Sequence, residues 1–268
     1  MDPYLQFLWL IPLGFFAGAY GTLIGAGGGF VLAPALLLLY PGDAPETITS
    51  ISLAVVFFNA LSGTLAYANS KRIDYRSGMI FAVATMPGAV LGALATTAMS
   101  RARFDLLFGC LLILVALFLA VSPGKKTAAR IAQANTKTPA ILGLSNAKLI
   151  LGVVLSTGFG FISSFLGIGG GFLYVPALVY LLEFPVHIAT ATSLFVLTLT
   201  ALTGSATHVA AGLFHHGIRR AIWLSIGAIL GAQLGAKLSQ RIHGDWIIRS
   251  LAIALALAGL RLFVSSLG

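Results

Sequence analysis

Two short segments hold the residue types best suited to chemistry in an otherwise apolar chain. Gly25 to Pro34 reads GAGGGFVLAP, and Gly167 to Pro176 reads GIGGGFLYVP, at an offset of 142. Glycine runs leave a helix readily, because they accept positive φ and gain nothing from side-chain packing. An unwound stretch followed by apolar sequence predicts a half-helix, here beginning near Phe30 and Phe172, whose first amides have no acceptor within the helix. Free amides at the positive end of a helix dipole attract anions. Gly27, Gly28, Gly29 and Phe30, with Gly169, Gly170, Gly171 and Phe172, are therefore candidate binding residues for a small anion. The competing use of such glycines is close helix packing.

A second set lies on the apolar segment that follows each glycine run. Ser52, Asn59 and Gly63 fall on one helical face, with Thr49 and Tyr67 at its edges; Ser193, Thr200 and Gly204 repeat it, with Thr190 and His208 at the edges. Hydroxyls and an amide can donate to an oxyanion without trapping it by a full charge, so Ser52, Asn59, Ser193 and Thr200 are candidate lining residues. The plainer alternative is that each hydroxyl bonds a carbonyl of its own preceding turn. His208 is the only histidine well inside an apolar run, where it serves either as a structural hydrogen-bonder or as a proton carrier. His215 and His216 stand beside Arg219 and Arg220 and read as a solvated basic loop, since two ligands are too few for a metal site. No metal or cofactor is expected.

The elements that must position these residues follow from composition. Of 268 residues 58% are hydrophobic and 9% charged, too few charges to cover a water-soluble globule. Eight apolar runs are expected: Leu5 to Tyr40, Ile48 to Asn69, Ser77 to Met99, Phe104 to Val121, Leu149 to Leu182, Ile188 to Leu213, Ala221 to Leu238 and Trp246 to Leu267. All seven carboxylates fall at or near the ends of these runs, as the cost of charge in lipid requires. Hydrocarbon leaves backbone groups no outside partner, so the expected class is an all-α polytopic membrane protein. Met1 to Leu13 lacks a basic leader region and is expected to be a retained first span. Cys110 reads as a packing residue. The net charge of +9 resides in loops between runs, which fits the positive-inside bias and argues against a nucleic-acid partner.

Internal repetition organises the runs. After the glycine segments, Ser52 to Tyr67 matches Ser193 to His208 at an offset of 141, and GAVLGA at Gly88 to Ala93 matches GAILGA at Gly227 to Ala232 at an offset of 139. The expected domains are a first repeat over 1–122, a basic polar linker over 123–147, placed in the cytoplasm, and a second repeat over 148–268. Each repeat opens with a run too long for one span and too short for two, so each should hold a broken or re-entrant first helix. The small-xxx-small segments read as packing surfaces, and Pro87 is placed to kink the third run. If each break crosses, the halves are parallel; if each turns back, they are inverted, and the loops near Lys71, Lys125 and Lys237 share a face. Loop Lys and Arg divide 10 against 4 in both cases.

The paired GAGGGF and GIGGGF segments with their prolines, each followed by a Ser/Thr/Asn-bearing helix and a small-residue helix, resemble the TauE/SafE family of sulfite and organosulfonate exporters over essentially the whole chain. The resemblance implies a secondary carrier of small sulfur-containing anions in a bacterial-type plasma membrane, directed outward, with the glycines named above at its site. It leaves open the anion, the coupling ion (proton or sodium) and whether the chain forms a homodimer. A membrane-embedded enzyme and a structural subunit without transport are the competing classes; the runs hold no cluster of His, Asp or Glu for acid, base or metal chemistry.

Overall fold

The computed structural model describes residues 7–121, 146–214, 217–239, 241–242 and 244–267. Among these, all regular structure is helical: α1 Leu10–Ile24, α2 Gly29–Leu39, α3 Pro45–Asn69, α4 Tyr75–Ala95, α5 Arg101–Val121, α6 Asn146–Leu166, α7 Gly171–Pro176 continuing as a π turn over Ala177–Leu181, α8 Val186–Ala210, α9 Ile218–Ser239 and α10 Gly244–Leu267. The expected linker over 123–147 lies outside the described residues except for its last two, which already belong to α6; His215 and His216 also lie outside them.

Six described helices are long and apolar enough to cross a membrane, in place of the eight spans expected. One of the two absent spans is lost at a glycine run, and the other is Trp246 to Leu267, whose helix α10 is not among the six. Leu5 to Tyr40 divides into two shorter apolar helices, Leu10–Ile24 and Gly29–Leu39, and the tail of Leu149 to Leu182 becomes the short helix Gly171–Leu181. Local signals set the other boundaries. Pro45 stands at the start of α3, and Asp74 caps α4 by accepting from the Arg76 and Ser77 amides, 3.2 Å each. Helix α4 runs on through Pro87.

Small residues determine which helices touch. A Cβ added at Gly227, Gly231 or Gly235 on α9 would fall 2.1 Å from the carbonyl oxygen of Ile11, Phe15 or Ala19 on α1, so these backbones are in direct contact. Because both series ascend, α1 and α9 run parallel. On the other side, Gly88 and Gly92 of α4 meet the carbonyls of Thr157 and Phe161 on α6, again in ascending order. Thr157 and Phe161 match Phe15 and Ala19 at the same offset of 142 that relates the glycine runs. These contacts therefore pair GAVLGA with GAQLGA at Gly231 to Ala236, an offset of 143, and correct the match to GAILGA by one helical turn. A motif that recurs every four residues cannot fix its own register.

Helix directions follow from the same contacts. Leu53 lies at Gly204 and Thr64 bonds Thr198, 3.2 Å, so α3 and α8 are antiparallel at the centre. Residues Arg220 and Asp43 form an ion pair, which brings the end of α2 back to the level where α9 begins, and hence to where α1 begins. The chain thus descends along α1, reverses in GAGGG and returns along α2. The end of the bundle that carries Val121 and Asn146 is termed the linker face, and the opposite end the far face.

Gly231→Leu should force α1 and α9 apart and cost roughly 1–3 kcal/mol or more, lowering the thermal unfolding midpoint in detergent. Gly42→Ala, with nothing within 4 Å of its added carbon, is the control and should leave the midpoint in place.

Candidate functional site

Helix α1 stops because Gly25 adopts a left-handed conformation, φ 78°, and the amides of Ala26 and Gly27 turn back onto the Gly21 carbonyl at 2.8 and 3.1 Å. Gly27 and Gly28 hold φ of 74° and 79°, and α2 begins at Gly29. The second break repeats this: Gly167, Gly169 and Gly170 have φ of 70°, 85° and 75°, the Ile168 amide bonds the Ser163 carbonyl at 3.1 Å, and α7 begins at Gly171. Six positive-φ positions in two short breaks explain why the sequence needs glycine there.

The depth of the breaks decides what they can do. A Cβ on Gly28 would lie 2.6 Å from the carbonyl of Ala17, at the middle of α1, so α2 starts deep within the bundle. The two breaks also touch each other. A Cβ on Gly29 would lie 2.2 Å from the Ile168 carbonyl oxygen, and one on Gly171 2.4 Å from the Gly25 carbonyl oxygen. Between them, Val56 and Leu197 close over Gly27 and Gly169, and both are fully buried. The starts of two half-helices thereby meet at one apolar-lined centre.

Structure separates the candidate residues into three groups. Gly27, Gly29, Gly169 and Gly171 come together at this centre, whereas Gly28 and Gly170 face the first helix of their own hairpin at Ala17 and Ser163, and Phe30 and Phe172, the next residues of α2 and α7, are fully buried. Ser193 joins them: its hydroxyl donates to the Gly25 carbonyl at 2.6 Å, tying α8 to the first break. Its counterpart Ser52 is fully buried and its hydroxyl has no partner. Asn59 and Thr200 bond elsewhere. Asn59 accepts from Thr22 of α1 at 3.3 Å with its amide nitrogen unpartnered, and Thr200 shares a 2.8 Å bond with Thr85 of α4 while donating to its own turn. His208, near the far end of α8, is fully buried with neither ring nitrogen partnered. Its counterpart Tyr67 donates to the Thr22 carbonyl at 3.1 Å.

Sequence reasoning passed over Val56 and Leu197, which occupy matched positions at an offset of 141 on the two helices already aligned. Their match was legible, but apolar residues in an apolar helix carry no signal of their own. It also passed over Arg101, whose guanidinium reaches the Leu37 and Asp43 carbonyls at 2.6 and 2.7 Å and Asp105 at 3.0 Å. Among the described residues, no group of three or more His, Cys, Asp or Glu is placed to hold a metal ion.

Comparison with known proteins is consistent in kind. The family model described as sulfite exporter TauE/SafE matches residues 10–262. The chain is 34% identical over 271 residues to a probable membrane transporter protein, YunE, of Bacillus subtilis, covering 96% of this chain and 97% of that one. It is 28% identical to the probable membrane transporter protein MJ0441 of Methanocaldococcus jannaschii, covering 95% and 96%. It is also 28% identical to a probable membrane transporter protein of Xylella fastidiosa, covering 90% and 88%. No solved structure matches.

The two serines should respond differently to truncation. Ser193→Ala removes a buried bond to the break and should destabilise by about 1 kcal/mol, whereas Ser52→Ala, removing an unpartnered hydroxyl, should be neutral or mildly stabilising. Thermal midpoints of the two variants in one detergent check this, and equal losses would show that Ser52 anchors its break as Ser193 does.

Proposed function

The chain belongs to the sulfite exporter TauE/SafE family, and on that premise we propose that this multi-pass membrane transporter carries sulfite or small organosulfonates outward, bound between the N-termini of α2 and α7. The observation that carries this reading is the apposition of the two glycine breaks, Gly29 against Ile168 and Gly171 against Gly25, at the depth where α2 begins beside the middle of α1. An unwound backbone in hydrocarbon persists only where protein or water satisfies it, and half-helix N-termini at the midplane are a recurring means of holding an anion in transporters. Gly27 to Phe30 and Gly169 to Phe172 supply the amides, and Ser52 supplies a free hydroxyl donor. Val56 and Leu197 cover the site in the present conformation and must withdraw for an anion of sulfite size to reach it.

On this reading the chain is two homologous halves, 1–122 and 148–268, set in the membrane with opposite sense. Support comes from the reciprocal pairs: α1 runs parallel to α9, α4 runs parallel to α6, and each break turns back toward the face from which its half started. The loops bearing Lys71 and Lys237 then lie at the linker face, and those bearing Arg101 and Arg220 at the far face. The linker face takes 10 loop cations against 4 and is assigned to the cytoplasm. If transport is proton-linked, His208 is the assigned carrier, because it is buried and neither ring nitrogen is committed. A sodium gradient is the other coupling to be tested. No chemical step is assigned to the protein.

Two measurements test the proposal. In a Cys110→Ala background, Ala26→Cys and Ile168→Cys place thiols in the breaks without removing glycine; a membrane-impermeant thiol reagent should label both, and sulfite should slow labelling at least threefold while chloride does not. Labelling that sulfite leaves unchanged, or thiols that never react, would remove the anion from the breaks. In proteoliposomes the wild-type protein should release loaded sulfite, accelerated by a proton gradient that His208→Gln renders ineffective; full retention of that acceleration would exclude His208.

A further inference from the structure

The matched positions at the two ends of the bundle differ in a way that bears on how an anion reaches the breaks. At the linker face a cavity of about 390 Å³ opens between the last turns of α1 and the start of α10, lined by Tyr20, Leu23, Arg241, Ile242, Trp246 and Ser250. Tyr20 and Leu23 belong to the two turns that lead into Gly25, and the Tyr20 ring lies 6.0 Å from that of Phe30 in the first turn of α2. The cavity therefore abuts the first break. Its polar groups include the guanidinium of exposed Arg241, the indole N–H of Trp246 and the hydroxyls of Tyr20 and Ser250, the last donating to the Ile247 carbonyl at 3.0 Å.

At the far face the same positions of the other half are filled. Phe165 is the counterpart of Leu23 at the offset of 142, stacked on Phe161 and tilted against Phe104, each at 5.8 Å. Ala98 is the counterpart of Arg241 at the offset of 143. Two arginines then fasten this end. Arg101 binds the Leu37 and Asp43 carbonyls and Asp105, while Arg220 pairs with Asp43 and lies 4.0 Å over the Tyr40 ring. Together they hold the α2–α3 turn to α5 and α9. The positions matched to Arg101 and Arg220 at the linker face are Gly244 and Ser77, which carry no charge.

We propose that the cavity around Arg241 is the linker-side mouth of the anion path, that Arg241 recruits a small oxyanion there, and that the aromatic stack with the Arg101 and Arg220 contacts is the closed gate at the far end. This rests on the breaks being the anion site. A guanidinium at the rim of an apolar-walled mouth concentrates oxyanions and matches their paired oxygens. Placed at the rim, Arg241 sets how readily the anion enters and leaves the central step unaltered. Among the described residues, the cavity beside the first break lies at the linker face, and the aromatic stack with the two arginines lies at the far face.

The test uses the full-length protein in liposomes. With sulfite in neutral-lipid vesicles, Arg241→Gln should raise the half-saturating concentration about tenfold with the maximal rate unchanged, and Arg241→Lys should stay within about threefold of wild type. A wild-type concentration dependence in Arg241→Gln overturns the proposal. So does a defect that appears only when anionic lipid is included, which would make the cavity a lipid headgroup site. A second arm does not depend on which anion is carried: in the Cys110→Ala background, Leu23→Cys should react faster with an anionic thiosulfonate than with a cationic one, and Arg241→Gln should abolish that preference. Equal reactivity with Arg241 intact overturns the mouth even if sulfite is transported. If preference is seen without sulfite flux, the mouth stands and the choice of sulfite falls.

Discussion

The constraint on which this structure depends is the need to satisfy backbone polar groups in hydrocarbon. Two glycine breaks at membrane depth would each expose amides and carbonyls at a cost of several kcal/mol per group if they faced lipid. They are tolerable because they are packed against one another. The Gly25 carbonyl accepts from Ser193, the Gly21 carbonyl takes two amides of its own break, and the contacts of Gly29 with Ile168 and of Gly171 with Gly25 exclude lipid from both. Neither break could be placed alone; each supplies the enclosure that the other requires.

That mutual enclosure demands close approach of the surrounding helices, which explains the long stripes of glycine and alanine. Each half's first helix packs on the other half's fourth, α1 on α9 and α6 on α4, with glycines admitting the partner's carbonyls. These contacts tie α1 to α9 and α4 to α6, helices far apart in the chain. Between these pairs, α3 and α8 cross at the centre and place Val56 and Leu197 against Gly27 and Gly169. The pair α5 and α10 meets at Gly109 and Gly259.

Much of this was legible in the sequence, and the failures are instructive. Membrane residence followed from composition, and the broken helices followed from comparing run length with bilayer thickness, since GAGGG and GIGGG were the only segments able to release the surplus. Whether a break crosses or turns back was not legible, because both arrangements give the same loop charges. It took the Arg220 to Asp43 contact, between residues far apart in sequence, to bring α2 back to its starting face. The polar stripe was recognised as a face but not divided: nothing in Ser52, Asn59, Ser193 or Thr200 says which of them reaches a break and which reaches α1 or α4. The register of the GAVLGA segment failed for a simpler reason, as a four-residue period matches itself after one turn.

Duplication with opposite sense would make the two ends of the bundle equivalent, and the departures from equivalence lie in the π turn of Ala177–Leu181, where α2 stays α-helical, and in side chains. The break dihedrals agree closely between halves, 74° and 79° at Gly27 and Gly28 against 85° and 75° at Gly169 and Gly170. The far end differs by an aromatic stack and two arginines. Such contacts are individually weak: half-solvated ion pairs and ring contacts are worth about 1 kcal/mol each. The central backbone contacts have no substitute in lipid. A protein built this way can exchange its end contacts at small cost while its centre must move as packed units. Any change of access would therefore involve hairpins α1–α2 and α6–α7 shifting against α3 and α8, with Val56 and Leu197 at the contact that slides.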